Sequence, residues 1–272
     1  MVKDVLILVA KHPTKGKSKT RLARSLGDDV ALKFADALLE DTMERLGGGE
    51  DDRVVRVLFF APVEAENMFR ERCKRLSKDW NLIPMPPKDL GSKSLTDLLK
   101  YALNAVRERF GKEIVVSFCG MDSPTLSLDT IRCSMRTAQK GNAHIVPAND
   151  GGYVMLTLPV GISPDVFENV TWSSEDTLMT QRNQIRNLGT DVETSQDVHI
   201  DVDELQDLLI LKRKCKESKT IRNGCSRTYH LLKKLNNSKV DSCGCSARYL
   251  FMISTTIFIT TAAILKVKRR VL

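Results

Sequence analysis

Two short stretches of this sequence contain acidic residues at positions suited to binding a hard cation. Asp122 stands in Gly120-Met-Asp122-Ser123-Pro, directly after the apolar run 114–118. Asp201 and Asp203 alternate with apolar residues, so their side chains share one face of an extended segment. A hard cation that bridges phosphates keeps several waters and takes one or two protein carboxylates. These aspartates form a candidate metal site, although Asp122 and Asp203 could equally cap the helices that follow them.

A cationic loop follows the first apolar run, residues 5–10. It holds Lys11, Lys15, Lys17, Lys19 and Arg21. The segment 16–18 resembles the end of a phosphate-binding P-loop, but Lys11 occupies the position that needs the first glycine. We therefore expect side chains, with Arg21 as a two-pronged donor, to bind a di- or triphosphate. The alternative is a solvated surface loop.

Two other segments are ambiguous by themselves. Asp150-Gly151-Gly152-Tyr153 separates two apolar runs, and its glycines either bring backbone close to a ligand or form a tight turn. Trp172 stands beside Ser173 and Ser174, either of which could cap the following helix. No Ser-His-Asp or Cys-His arrangement can be argued, and the four histidines lack zinc-site spacing.

The elements that must position these residues alternate along the chain. Apolar runs predict strands at 5–10, 54–60, 81–85, 114–118, 144–147 and 153–158. Helical spacing predicts helices over 28–46, 64–77, 94–110, 128–140, 175–188 and 203–214. This alternation predicts an α/β three-layer sandwich with a mostly parallel central sheet. Ligands of such sheets bind beyond the carboxyl ends of the strands, which is where the candidate segments stand.

Composition divides the chain into four parts. We predict a folded domain over 1–211, a basic flexible linker over 212–248 with one possible helical turn near 229–235, a C-terminal transmembrane helix over 249–265, and a basic tail over 266–272. The alternative for 249–265 is a last buried helix of the domain. Cys243 and Cys245, just before this run, are candidates for reversible acylation.

The charge distribution separates the folded domain from the tail. The net charge is +8, yet residues from Lys212 onward hold fifteen Lys and Arg against two acids, which leaves the predicted domain mildly acidic. This argues against nucleic acid as a partner and favours a membrane surface. The first residues lack the pattern of a secretory signal. We therefore expect a cytosolic domain tethered to an intracellular membrane, with reduced cysteines.

Taken in order, six motifs resemble the glycosyltransferase-A-like family of uncharacterised bacterial proteins described as radical-SAM/selenodomain-associated transferases. The resemblance runs over residues 5–209. It departs from the family where Lys11-His-Pro replaces Arg-Pro-Pro and where Thr-Pro is missing before Asp207. The motifs are Lys19-Thr-Arg21-Leu-Ala, Asp89-Leu-Gly, Gly120-Met-Asp122-Ser123-Pro, Pro147-Ala-Asn-Asp150-Gly151-Gly152-Tyr153, Trp172-Ser, and Asp201-Val-Asp203 with Asp207-Leu208.

The resemblance implies a nucleotide-diphosphosugar transferase fold and a nucleotide sugar or NTP ligand held with Mg²⁺ or Mn²⁺. It implies Asp122 as the metal carboxylate. Combining the resemblance with the residue patterns, we expect Asp122 with Asp201 or Asp203 to hold the metal and Asp122 and Asp150 to be catalytic. The expected substrate-binding residues are Lys11, Lys19, Arg21, Asp89, Gly120, Ser123, Gly151, Gly152, Tyr153 and Trp172.

Three functions stay open at this point. Glycosyl transfer to an unknown acceptor is favoured, because the glycine-rich loop of pyrophosphorylases is missing. Nucleotidyl transfer with release of pyrophosphate is the alternative within enzymes. A catalytically silent, membrane-tethered nucleotide-binding module is supported by the altered closing motif.

Overall fold

A computed structural model of the chain describes residues 3–48, 54–86 and 94–235. The strands are β1 Lys3–Lys11, β2 Val55–Ala61, β3 Asn81–Pro84, β4 Ile114–Gly120, β5 Ala143–Pro147, β6 Tyr153–Leu158 and β7 Val192–Thr194. The helices are α1 Thr20–Leu26, α2 Asp28–Leu46, α3 Glu66–Leu76, α4 Leu95–Phe110, α5 Leu128–Gln139, α6 Thr177–Asn187, α7 Leu205–Glu217, α8 Lys219–Gly224 and α9 Ser226–Lys234. Short 3₁₀ turns cover Val63–Ala65 and Pro164–Phe167.

The seven strands form one sheet in the order β3-β2-β1-β4-β6-β5-β7. All neighbours run parallel except β6, which is antiparallel to both β4 and β5. The short connection between β5 and β6 explains this, since parallel strands need a longer crossover. The predicted mostly parallel sheet is therefore confirmed. The edge strand β7 was not predicted, because its three residues are partly exposed and form no apolar run.

Two apolar cores lie on opposite faces of the sheet. One joins β1 and β2 to α2, α3 and α5 through residues such as Leu8, Leu39 and Phe69. The other joins the sheet to α4 and α6 through residues such as Leu103 and Ile185. The strands bury both faces and so read as continuous apolar runs in the sequence. These layers confirm the predicted helix–sheet–helix sandwich.

The loop after β1 contains a helix that the sequence did not predict. Helix α1 buries only Leu22 and Leu26, and its remaining residues are polar or small. Two apolar residues at i and i+4 are too few to reveal a helix by periodicity alone. In the cationic segment, Lys11 therefore ends β1, residues 12–19 form a loop, and Arg21 lies on α1.

The prediction of a flexible linker from residue 212 is wrong for its first part, because α7, α8 and α9 continue to Lys234. Cys215, Cys225 and Leu232 are buried, and the Asp41 carboxylate of α2 accepts hydrogen bonds from the first amides of α9, including Thr228 N at 2.8 Å. These few buried residues are not apparent in the sequence, because many lysines and arginines separate them. Nine of the fifteen cations after residue 211 thus lie on these folded helices, so the premise that all excess positive charge is outside the folded part is also wrong.

Within the described ranges, no helix has the length and apolar character needed to span a membrane. The predicted span 249–265 lies outside the described residues, as do Cys243, Cys245 and Asp89.

Candidate active site

Lys19 sits at the junction between the loop after β1 and helix α1. Its backbone is left-handed, with φ 50° and ψ 48°, and its carbonyl accepts a hydrogen bond from Ala23 N at 2.8 Å. A left-handed conformation is costly for a residue with a Cβ, and such residues are enriched at functional sites. It turns the side chain into the protein, where only 6% of it is exposed.

The Lys19 ammonium bridges two aspartates that are far apart in sequence. Its Nζ lies 2.7 Å from Asp122 Oδ1 and 3.0 Å from Asp203 Oδ1. Arg21 Nη1 lies 3.6 Å from the other Asp203 oxygen. Burial opposes the charge of Lys19, but the carboxylates outweigh this cost and its pKa is raised. Lys19 therefore stays protonated at neutral pH and partly neutralises an acidic cluster.

Neither aspartate serves as the helix cap that the sequence left open. Ser127 caps α5 by accepting a hydrogen bond from Thr130 N, and Glu204 with Asp207 forms the capping box of α7. The carboxylates of Asp122 and Asp203 are thereby free to face Lys19. A main-chain hydrogen bond from Val202 N to Asp122 O, at 3.0 Å, fixes the two segments together.

Asp201 completes a crowded group of carboxylates, which we call the acidic cluster: Asp122, Asp150, Asp201 and Asp203. Burial raises the pKa of Asp201 to about 7, and the negative charges of Asp122, Asp203 and Asp150 add to this despite the opposing effect of Lys19. The backbone of Asp201 is held by Asn149 Oδ1, which accepts from its amide at 3.2 Å. Neighbouring carboxylates repel each other, and a bound cation relieves this repulsion.

The acidic cluster does not form a complete metal cage in the absence of ligand. Within residues 3–48, 54–86 and 94–235, no three His, Cys, Asp or Glu side chains are arranged as a ready-made metal site. The Lys19 ammonium occupies the space between Asp122 and Asp203. Asp122 Oδ1, although close to Lys19, makes no hydrogen bond of good geometry among the described residues. A buried oxygen with an unused lone pair suits Mg²⁺ or Mn²⁺, which needs only one or two protein carboxylates alongside phosphate and water.

The two glycines after β5 differ in what they require. Gly151 has φ 89°, and a Cβ there would lie 2.5 Å from the Glu175 carbonyl oxygen. The Gly151 carbonyl also joins the turn to α6, because it accepts a hydrogen bond from Leu178 N at 3.1 Å. Gly152 has an ordinary φ and donates its N–H to Asp150 Oδ1 at 3.0 Å. Of the two readings of this pair, the tight turn is thus observed, and the turn fixes Asp150.

Tyr153 and Trp172 use their polar atoms inside the domain. Tyr153 donates its hydroxyl to Gln181 Oε1 at 3.0 Å, and burial raises its pKa. Trp172 donates Nε1–H to Thr96 Oγ1 at 2.9 Å and lies beside the Tyr153 ring. Neither Ser173 nor Ser174 caps α6, whose N-cap is Asp176. The aromatic pair therefore stabilises the loop that precedes α6 through contacts inside the domain.

Of the remaining predicted residues, some are exposed near the site and others are buried in the elements that support it. Lys11 ends β1 and is exposed, and Gly120 ends β4 and is exposed. The side chain of Ser123 is buried, and its carbonyl accepts a hydrogen bond from Arg45. Asp89 lies outside the described residues. The structure thus brings Lys19, Arg21 and the acidic cluster together, and it does not place Tyr153 or Trp172 at their centre.

Sequence reasoning missed Arg45 and Thr42 of α2, which hold the loop that carries Asp122. Arg45 donates to Ser123 O at 3.1 Å and to Leu126 O at 2.8 Å, and Thr42 donates to Met121 O at 3.1 Å. Burial lowers the pKa of Arg45. An arginine within a helix rich in charged residues carries no local signal, so only the contact with a loop almost eighty positions away reveals its role.

A groove of about 400 Å³ lies at the ends of β1 and β2, and it is lined by His12, Asn67, Met68, Glu71, Arg72 and Arg75. It contains no member of the acidic cluster. The acidic cluster itself lies beyond the carboxyl ends of the central strands β1 and β4.

Comparisons with known proteins agree with this architecture. Residues 46–174 match a family described as "Uncharacterized protein conserved in bacteria (DUF2064)". A crystal structure from Desulfovibrio desulfuricans G20, of a protein whose nucleotide-diphospho-sugar transferase activity is itself only proposed, is 23% identical. The similarity covers 89% of this chain and 98% of that one, with a TM-score of 0.74. The chain therefore shares the α/β fold of that protein.

A weaker similarity is found to 4-diphosphocytidyl-2C-methyl-D-erythritol synthase from Anaerococcus prevotii DSM 20548. It is 11% identical, covers 79% of this chain and 99% of that one, and has a TM-score of 0.48. No curated protein matches the sequence.

Proposed function

We propose that this chain is a metal-dependent transferase that uses a nucleotide sugar as its donor. The observation that carries the proposal is the convergence of Lys19 with the acidic cluster at the carboxyl-end edge of the sheet. Ligands of open α/β sheets bind at this edge. The motif resemblance to radical-SAM/selenodomain-associated transferases supports the same class of chemistry.

In this proposal Asp122, with Asp201 or Asp203, holds Mg²⁺ or Mn²⁺. The ion, when bound, would neutralise charge on the leaving diphosphate. Lys19 would then release a carboxylate and bind a phosphate oxygen, since its ammonium already lies within reach of both aspartates. The exposed cations Arg21 and Lys11 would bind the outer phosphates.

The acceptor side is assigned to Asp150, which is exposed and held by the turn after β5. No activated protein nucleophile is present among the residues of the acidic cluster. An acceptor hydroxyl would therefore attack the sugar directly, its proton passing to the Asp150 carboxylate, while the nucleoside diphosphate leaves. We assign Tyr153 and Trp172 to support of this turn instead of substrate contact, because their polar atoms are already bonded within the domain.

Nucleotidyl transfer is the second candidate, because a metal-bound acidic cluster with flanking cations serves an NTP equally well. In that reaction the acceptor attacks the α-phosphate and pyrophosphate leaves. A silent nucleotide-binding module is the third, and its support remains the altered sequence before Asp207.

The test uses the full chain and follows thermal unfolding by the fluorescence of Trp80 and Trp172. Nucleotide sugars and NTPs are added with and without Mn²⁺. The proposal expects a rise in Tm with a nucleotide sugar that depends on Mn²⁺. Release of nucleoside diphosphate from the sugar donor would support glycosyl transfer, release of pyrophosphate from an NTP would support nucleotidyl transfer, and binding without turnover would support the silent module.

Asp122→Asn should abolish the Mn²⁺-dependent rise. Asp129→Asn is the matched control, because it makes the same charge change on α5 at a side chain that is 94% exposed and outside the acidic cluster. Equal Tm shifts in the wild type and Asp122→Asn, or no Mn²⁺-dependent shift with any nucleotide, would refute the metal-dependent transferase.

We further propose that residues 249–265 tether the domain to an intracellular membrane, on the basis of their uncharged sequence between basic clusters. A fluorescent fusion of residues 240–272 should localise to membranes in cells. A diffuse cytosolic signal would contradict the tether without affecting the proposed reaction.

A further inference from the structure

Cys215 of α7 faces Cys225, which stands between α8 and α9. Their Sγ atoms are 3.4 Å apart, and both residues are fully buried. A disulfide has a sulfur–sulfur distance of about 2.0 Å, so closure requires an approach of about 1.4 Å. That displacement is within the range of small side-chain and backbone adjustments. The two thiols are therefore placed to react with each other.

We propose that Cys215 and Cys225 are a reversible dithiol–disulfide pair that is oxidised by a low-molecular-weight disulfide such as oxidised glutathione. Disulfides that form in reducing compartments are usually transient and redox-sensing, and we expect the Cys215–Cys225 bond to be of this type. The proposal does not depend on the proposed transferase activity.

The segment between the two cysteines is fixed by hydrogen bonds at the corner between α7 and α8 and next to Cys225. Ser218 N donates to Lys214 O at 2.9 Å at the end of α7, and Ser218 Oγ accepts from Ile221 N at 3.3 Å at the start of α8. On the domain side, Arg45 Nη1 donates to the carbonyl of Gly224, the residue before Cys225, at 2.7 Å. These contacts hold the sulfurs opposite each other, which reduces the entropy lost on closing the bond.

An oxidant can reach the pair by local opening of α8. This helix has six residues and buries none of them, so few apolar contacts oppose its opening. Lys214, Lys216, Lys219 and Arg222 stand near the cysteines in the sequence and outnumber Glu217, so this segment would attract an anionic disulfide such as oxidised glutathione.

The electrostatic environment favours Cys215 as the attacking thiol. The hydrogen bond from the Cys225 thiol lowers the pKa of Cys215, and the charge of Arg222 acts in the same direction, whereas burial opposes both. The Cys225 thiol also lies 3.0 Å from Ile221 O, which competes for its proton. Cys225 has a raised pKa and is the resolving thiol.

The reaction proceeds by two exchanges. The Cys215 thiolate attacks one sulfur of oxidised glutathione, which breaks its S–S bond and releases one glutathione thiolate that takes up a proton. Cys225 then loses its proton and attacks the Cys215 sulfur, which expels the second glutathione as a thiol. The two protein thiols are oxidised, and one glutathione disulfide is reduced to two thiols.

The test incubates the reduced full chain with oxidised glutathione, blocks remaining thiols with iodoacetamide and analyses a tryptic digest by mass spectrometry. Trypsin cleaves between the cysteines at Lys216, Lys219 and Arg222. A disulfide would therefore join two separate peptides with the loss of two hydrogen atoms. Dithiothreitol should reverse the bond.

Cys225→Ser should remove this cross-link and leave Cys215 as a mixed disulfide with glutathione. Cys133→Ser, which changes an exposed cysteine of α5, should leave the Cys215–Cys225 cross-link intact. Alkylation of both Cys215 and Cys225 under conditions that modify Cys133 would overturn the proposal. A cross-link of either residue to a different cysteine would also overturn it.

Discussion

The Lys19 ammonium lies 2.7 Å from Asp122 Oδ1, although the two residues stand in loops that follow different strands, β1 and β4. Because these strands are parallel neighbours, their carboxyl ends meet at one edge of the sheet. Asp203 reaches the same ammonium from the segment before α7. A single buried cation thus connects three parts of the chain.

Replacing Lys19 by methionine should destabilise the metal-free protein by about 1–3 kcal/mol. This is less than the loss of a partner from a fully buried pair costs, because the Asp122 and Asp203 side chains keep 33% and 45% exposure. Urea unfolding measures the change, with Lys17→Met, an exposed lysine of the same loop, as control. Mn²⁺ should restore more stability to Lys19→Met than to the wild type. Equal stabilities of the two variants would contradict a central role for Lys19.

Asp201 should make the stability of the metal-free protein fall as the pH rises through neutrality. Its pKa is about 7 in the fold and 3.8 in the reference state, so the folded protein favours the protonated form. The resulting stabilisation is fully present below pH 3.8 and is lost as the pH rises through about 7. The free energy of unfolding, measured by urea titration at pH 5.5 and pH 8, should therefore decrease more in the wild type than in Asp201→Asn. Parallel pH profiles would show that Asp201 is not the titrating group.

Gly151→Ala should cost about 2–4 kcal/mol, because the substitution combines a left-handed backbone with a clash against the Glu175 carbonyl. Gly152→Ala is the matched control one position later, and it should change stability by less than about 1 kcal/mol. Thermal or urea unfolding of both variants measures the difference. A Gly151→Ala protein as stable as the wild type would mean that the turn after β5 is not held as described.

Arg45→Met should destabilise the domain by about 3 kcal/mol or more, because it removes the hydrogen bonds that Arg45 donates to the carbonyls of Ser123, Leu126 and Gly224. Thr42→Val, which removes the hydrogen bond to Met121 O and the one that Thr42 Oγ1 accepts from Arg45, should cost about 1–2 kcal/mol. Arg136→Met changes an exposed arginine of α5 and should be nearly neutral. If Arg45→Met unfolds at the same urea concentration as Arg136→Met, Arg45 does not hold the Asp122 loop.

The sequence predicted six of the seven strands and the mostly parallel sheet, because strands buried on both faces leave continuous apolar runs. It missed β7 and α1, which bury too few residues to produce a period. It also assigned 212–235 to a flexible linker. Cys215, Cys225 and Leu232 anchor that segment, but three apolar contacts among many lysines do not stand out.

The chemical groups of the candidate site could be predicted from the sequence: a cationic loop after β1 and aspartates after β4, after β5 and before α7. Residue type and position after a strand were sufficient, because the carboxyl ends of parallel strands converge in any sheet of this kind. The role of each group depends on the packed fold. In the fold, Lys19 lies between Asp122 and Asp203, and the polar atoms of Tyr153 and Trp172 form hydrogen bonds within the domain. Arg45 donates hydrogen bonds to the loop that carries Asp122. Those roles depend on distances between residues remote in sequence, and such distances arise only when the elements pack.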